Sequence, residues 1–444
     1  MNRDMKKTLI ISLTVILASF TGCSPNIDKT KLDAYFDTLA NNRKFMGSVA
    51  VSRNGESIYA KSVGFADIEH GLKANENSKY RIGSISKTFT AALIFMAVDE
   101  NKLNRDQTID KFFPEIYNAD KITIEHLLYH RSGIRSFTDD KSYTDWNTLP
   151  KTEREMIEII SDAGIDFEPD SKTSYSNSNF VLLTYILEKI HKKPYAEILE
   201  EKIIEPVGLK NTYFGKKINI KNNECNSYKY EDGWKPESET DMSIPLVAGG
   251  VVSAPGDLNL FGEALFNGKL ISANSLRQMK TVKERFGQGL IQMPFYDKTG
   301  FGHTGGIDGF GSMFVYFPDD KISFAYTANG INYNGNDIAV AVLSAVYDKP
   351  FEIPEFKTYN VSDEDLDKYT GVYSSEQIPL KITVTKVDDK LIGQATEQPS
   401  FPLEATEKDK FEFNPAGIVL EFNPTDKTMI LKQAGGIFNF TKED

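Results

Sequence analysis

A serine and a lysine three residues apart, Ser84 and Lys87 in Arg81-Ile82-Gly83-Ser84-Ile85-Ser86-Lys87, are the residues best spaced to do chemistry. On a helix that spacing puts both side chains on one face. A serine hydroxyl is a weak nucleophile and needs a base within reach. A lysine shielded from water has its pKa lowered enough to take the proton. A helix start also turns free N–H groups toward developing negative charge. The pair alone is a weak signal, because serine at a helix start is often just a cap. Two further groups strengthen it. Tyr175-Ser176-Asn177, about 90 residues on, brings a phenol for the serine and an amide for a substrate carbonyl. Gly302-His303-Thr304-Gly305-Gly306 offers a polar or cationic side chain, a hydroxyl and bare backbone for an opposite wall. Together these point to nucleophilic chemistry at a serine hydroxyl.

The elements that must hold these residues are also readable. Apolar positions Phe89, Leu93, Met96 and Ala97 recur at helical spacing and predict a helix over 84–103. The run Phe180 to Ile190 predicts a strongly apolar helix just after Asn177. Residues 26–45 carry Leu32, Tyr35, Phe36 and Leu39 and predict a first helix. Two β-prone runs around Asn54-Gly55 read as a hairpin. Residues 312–317 and 322–327 read as strands and Asn336–Tyr347 as a closing helix, while 210–247 is polar and irregular. Strands at both ends with helices between them predict one sheet built from both chain ends, with a helical subdomain inserted. After the Pro-containing stretch 349–360, short alternating strands over 361–444 predict a separate sandwich or barrel.

The three motifs appear in the order of the serine β-lactamases and penicillin-binding proteins. The chain is similar to the group that holds class C β-lactamases, DD-peptidases, family VIII esterases and D-aminopeptidases, over roughly residues 30–345. Secondary segments carry the resemblance too. His126-Leu127-Leu128-Tyr129-His130-Arg131-Ser132-Gly133 resembles the family's "LLxHxSG". Phe167-Glu168-Pro169 resembles its approach to Tyr-x-Asn. Ala248-Gly249-Gly250-Val251-Val252-Ser253 with Asp257-Leu258 resembles its "AGGLxSTxxDL". The resemblance implies an α+β fold, an antiparallel sheet with flanking helices, over residues 26–348. Residues 361–444 resemble the lipocalin-like β domains appended to some relatives. It further implies Ser84 as acylated nucleophile, Lys87 and Tyr175 as proton carriers, and Asn177, His303, Thr304 and Gly305 as substrate-binding. It implies too that the N–H groups of Ser84 and Gly306 form the oxyanion hole and that neither metal nor cofactor is required. His303 stands where many relatives have lysine, as in some peptidase and esterase-like members. Lys298-Thr299-Gly300 spells the β-lactamase "KTG" literally, but Gly306 and Gly309-Phe310 favour His303-Thr304-Gly305 as the working triplet.

Composition narrows the alternatives. The 444 residues carry 40% hydrophobic and 26% charged side chains, which is ordinary globular composition. A net charge of −12 lacks the positive field that attracts phosphate backbones, so nucleic acid is not an expected partner. Two cysteines and five histidines leave no room for a disulfide scaffold or a His-rich metal centre. His126 and His130 have metal-ligand spacing, but Leu127 replaces the glutamate that a His-Glu-x-x-His site needs. No Gly-x-Ser-x-Gly surrounds Ser84. Arg3, Lys6 and Lys7 before the apolar run Thr8–Phe20 predict a signal peptide over 1–22. Phe20-Thr21-Gly22-Cys23 resembles a lipobox, which implies lipidation of Cys23 and leaves Cys225 as a bystander thiol. The expected protein is an exported, lipid-anchored serine hydrolase on the periplasmic or extracellular face of a cell membrane or outer membrane. Its expected partner is a small-molecule or peptide substrate of cell-wall origin, presenting an ester, a D-amino acid peptide or a β-lactam. The alternative is a non-catalytic or weakly catalytic penicillin-binding or sensor lipoprotein.

Overall fold

The computed structural model describes residues 27–443; the apolar run Thr8–Phe20 and Cys23 lie outside the described residues. Among the described residues no helix is long and apolar enough to cross a membrane.

Helix α1 (Lys29–Asn41) is started by Asp28, whose carboxylate accepts from the Lys31 N–H at 2.9 Å. It leads into the hairpin β1 (Phe45–Arg53) and β2 (Glu56–Val63). The turn needs two residues at positive φ, and Asn54 (52°) and Gly55 (79°) supply them. The helices α2 (Ser86–Asp99), α3 (Asn177–His191) and α4 (Pro255–Phe266) follow. The chain then returns to the sheet as β3 (Ile291–Phe295), β4 (Lys298–Ile307), β5 (Phe310–Phe317) and β6 (Ile322–Ile331), and closes with α5 (Gly335–Val346). The sheet order is β3-β4-β5-β6-β1-β2, antiparallel throughout, so both chain ends do form one sheet. Strands β4 to β6 are longer than the short strands expected there.

Alternation along β5 explains the layering. Phe314 and Tyr316 face the helical side, where they pack with Phe261 and Phe266 of α4. Val315 and Phe317 face the other side and pack with α1 and α5. Helix α2 carries apolar side chains on every face from Ala91 to Val98 and is buried from Ser86 to Ala97, as a helix enclosed on every side must be. Its Phe89 ring stacks on Phe261 at 3.7 Å.

One expectation is corrected at the site itself. The helix predicted over 84–103 starts later and ends earlier. Gly83, at φ 50°, cannot be α-helical, so Gly83–Ile85 form a 3₁₀ turn and the α-helix begins at Ser86. Asn101, at φ 56°, is left-handed, and the helix has already ended at Asp99.

Eight short strands between Gly371 and Lys442 form a closed barrel, the last strand pairing with the first at Tyr373 and Lys442. Aromatic side chains including Tyr373, Phe411, Phe422 and Phe440 fill its interior. The barrel leans on the rest through an ion pair from Lys44 to Glu404 (3.1 Å) and another from Lys390 to Asp232 (2.7 Å), and the connecting stretch packs its Phe356 ring against Tyr333.

Candidate active site

Ser84 stands on the 3₁₀ turn just ahead of α2, half-buried, with Lys87 fully buried one turn on. Lys87 Nζ lies 2.9 Å from Ser84 Oγ, 2.8 Å from Asn177 Oδ1 and 2.6 Å from the Ala248 carbonyl oxygen. No carboxylate is among these contacts, and burial holds the lysine well below its usual pKa. In its neutral form the amine keeps two N–H bonds and one lone pair. Asn177 Oδ1 and the Ala248 carbonyl can only accept, so they take the two N–H groups. The lone pair is left toward Ser84 Oγ, the one neighbour of the three that owns a proton.

Tyr175 completes the triangle, its hydroxyl donating to Ser84 Oγ at 2.7 Å. Burial pushes the phenol up to about 12, so it stays protonated in neutral solution. The Tyr175 ring is held by His130 (centroids 4.4 Å) and Phe286 (5.9 Å). His130 Nδ1 accepts from the Ser176 N–H at 3.1 Å, and His126 Nδ1 accepts from the Thr123 N–H at 3.2 Å. Each of these histidines thus spends a ring nitrogen on the backbone. Asn177 opens α3, and its NH2 donates to Thr138 Oγ1 at 3.0 Å.

The opposite wall is β4. His303 is buried, and its Nδ1 lies 2.5 Å from the Thr304 carbonyl oxygen. A carbonyl only accepts, so Nδ1 carries the proton and Nε2 keeps its lone pair. Burial, with Lys87 nearby, lowers His303 to about 4, so it is uncharged near neutrality. Thr304 and Gly306 are exposed toward solvent. Backbone meets backbone between β4 and the Ser84 turn. A Cβ on Gly305 would come within 2.0 Å of the Ile82 carbonyl oxygen, and one on Gly83 within 2.6 Å of the Gly306 nitrogen.

Lys298-Thr299-Gly300 occupies the other end of the same strand. Lys298 pairs with Asp320 at 3.1 Å, and the triplet faces β3 across Phe295, Pro294 and Met293. Of the two triplets it is therefore His303-Thr304-Gly305 that meets the serine turn. Cys225 is buried, and its thiol is pushed up to about 12, which leaves it unreactive.

Sequence reasoning missed several parts of the arrangement. Thr138 and the Ala248 carbonyl fix Asn177 and Lys87 and carry no local signal. Arg81 lies inside the serine motif, yet its role rests on distant partners. Buried, it pairs with Asp308 (3.0 Å) at the β4–β5 turn and with Glu239, and donates to the Thr240 carbonyl (2.9 Å).

Comparison with known proteins yields a consistent set. A family model described as Beta-lactamase matches residues 32–347. Penicillin-binding protein 4* of Bacillus subtilis (strain 168) is 24% identical over 440 residues, covering 91% of this chain and 96% of that protein. Teichoic acid D-alanine hydrolase of Staphylococcus aureus (strain MRSA252) is 25% identical over 314 residues, covering 69% of this chain and 74% of that protein. Among solved structures, D-amino acid amidase from Ochrobactrum anthropi SV3 matches with a TM-score of 0.64 and 25% identity, over 72% of this chain and 99% of its own.

Proposed function

The chain belongs to the Beta-lactamase family and is a serine hydrolase, and from that premise we propose that it releases a D-amino acyl group from an ester or amide through an acyl-enzyme on Ser84. The observation that carries this reading is the triangle of Ser84, Lys87 and Tyr175, with the lysine amine and the phenol both within hydrogen-bond distance of the serine hydroxyl.

The reaction follows from the donors and acceptors. Ser84 Oγ attacks the substrate carbonyl carbon as its proton passes to Lys87 Nζ. The developing oxyanion sits between the N–H groups of Ser84 and Gly306, where one lost donor costs about 3 kcal/mol. The bond to the leaving group breaks, and that group takes a proton from the Tyr175 hydroxyl, which recovers one from the Lys87 ammonium. Water then attacks the ester carbon and gives its proton to the same relay. Oγ leaves, reprotonated, and the acid is released.

The substrate class rests on charge. Neutral His303 replaces the lysine that many relatives place there, so no fixed cation waits at that position for a substrate carboxylate. Arg81 is committed to Asp308 and Glu239, and Lys298 to Asp320. A leaving group without a carboxylate therefore suits this site better than a β-lactam or a peptide ending in D-alanyl-D-alanine. The names of two relatives, a teichoic acid D-alanine hydrolase and a D-amino acid amidase, share the D-amino acid.

Rates on D-alanine methyl ester, D-alanine nitroanilide, nitrocefin and a D-alanyl-D-alanine peptide test the choice. The first two are expected to lead, with the L-enantiomers slower. Failure of both a fluorophosphonate and a labelled penicillin to mark Ser84 would sink the hydrolytic reading and favour a binding or sensor role. Export and lipidation of Cys23 belong to the same proposal, supported by the apolar run and the lipobox-like ending. Mass spectrometry of the N-terminal peptide from membranes is expected to find a diacylated Cys23. An unmodified Cys23 there contradicts it.

A further inference from the structure

A cavity of about 380 Å³ opens between the first turn of α4 and the helix-facing side of β1 and β2, and shares no lining residue with the Ser84 site. Its walls are rich in hydroxyls and amides. Ser52, Ser57 and Ser62 come from the hairpin, Asn77 and Asn211 from loops, and Asn259 from α4.

Two buried groups there are unspent. Ser52 is 6% exposed, and its hydroxyl has no hydrogen-bond partner among the described residues. It pairs across the sheet with Ser323, whose hydroxyl reaches Asn259 of α4 at 2.8 Å. Ser52 therefore faces α4 too, on the side of the sheet that lines the cavity. Asn259 is 4% exposed and uses Oδ1 on Ser323, leaving its NH2 for another partner. The helix itself begins without a capping side chain, at Ala254 and Pro255, and a Cβ on Gly256 would meet nothing within 4 Å. A buried polar group without a partner is unfavourable, and an occupant offering hydrogen bonds relieves it.

Charge and shape select the occupant. Lys210 at the rim is offset by exposed Glu76, and the Asp257 carboxylate is already engaged by the Asn211 N–H (2.7 Å) and the Thr212 hydroxyl (2.9 Å). With both signs present, no field favours an anion or a cation. Ala50, Ala60, Pro255 and Leu260 add small apolar surface on which the C–H face of a ring can rest. We infer that this cavity is a binding site for a small neutral polyhydroxylated ligand, a sugar residue or a polyol.

Saturation-transfer NMR on the full-length protein with N-acetylglucosamine and glycerol tests this, with inorganic phosphate and ammonium titrated as charged comparators. Transfer to at least one neutral probe is expected in the wild type, and at least tenfold weaker binding in Ser52→Ala and in Gly256→Leu. Both variants should keep fluorophosphonate labelling of Ser84. Ser52→Ala should melt no lower than wild type, because the lost hydroxyl had no partner, so this variant stays informative even if Gly256→Leu folds poorly. No transfer to either neutral probe, unchanged binding in folded Ser52→Ala, or binding of a charged comparator alone would each overturn the inference.

Discussion

Lys87 is the residue on which the chemistry turns. A charged lysine would donate all three hydrogens to Ser84, Asn177 and Ala248 and could accept nothing; a neutral one accepts from Ser84. Lys87→Met is therefore expected to lower the acylation rate about a thousandfold while Asn177 and Tyr175 stay in place. In the wild type kcat/KM should fall as pH drops through the depressed lysine pKa, because the protonated amine has lost its lone pair. Tyr175, titrating only near 12, imposes no alkaline limb in the usual range. His303 gives a separate prediction on stability. Its folded pKa of about 4 lies below the ordinary value of 6.5, so the unfolded chain binds more protons as pH falls. Its contribution is intact above 6.5 and is lost as pH falls through 4, amounting to about 3 kcal/mol. Unfolding curves of wild type and His303→Gln across that window should diverge by about this amount, the variant losing less. Parallel curves would contradict a buried neutral imidazole.

At the scale of elements, close approach between β4 and the serine turn sets the geometry. Gly305 touches the Ile82 carbonyl so closely that any Cβ must push the turn away. Gly305→Ala is expected to cost about a hundredfold in acylation through misplacement of Ser84, with circular dichroism unchanged. Phe89→Ala, which unstacks α2 from α4, should instead cost about 3–5 kcal/mol of stability by denaturant titration. The motifs around Ser84, Tyr175 and His303 were legible because each is contiguous, and the helices and strands because their apolar periods are local. What escaped depends on distance in the chain. The Ala248 carbonyl and Thr138 hydroxyl have no sequence signature, and Arg81 meets Asp308 only after the sheet has formed. The 3₁₀ start at Gly83 escaped for another reason. A serine motif with an apolar period reads as helix, and nothing in it marks the 3₁₀ turn over Gly83–Ile85.

For the whole molecule the layout is a sheet-and-helix body carrying the site, with a closed barrel beside it. The barrel's contacts with the body include two ion pairs. Each of these pairs keeps its carboxylate at least half exposed, where an ion pair contributes little, so removing residues 361–444 is expected to leave Ser84 labelling intact. Complete loss of labelling in a folded truncate would give the barrel a part in the site. Closure of the barrel, rather than a sandwich, was not legible, because both arrangements have the same strand alternation. The most direct test of the central claim is mass spectrometry of protein quenched during turnover of D-alanine methyl ester. One D-alanyl group on the peptide carrying Ser84 is expected, accumulating in the wild type and absent from Ser84→Ala. An adduct on another residue, or hydrolysis undiminished in Ser84→Ala, would contradict the account.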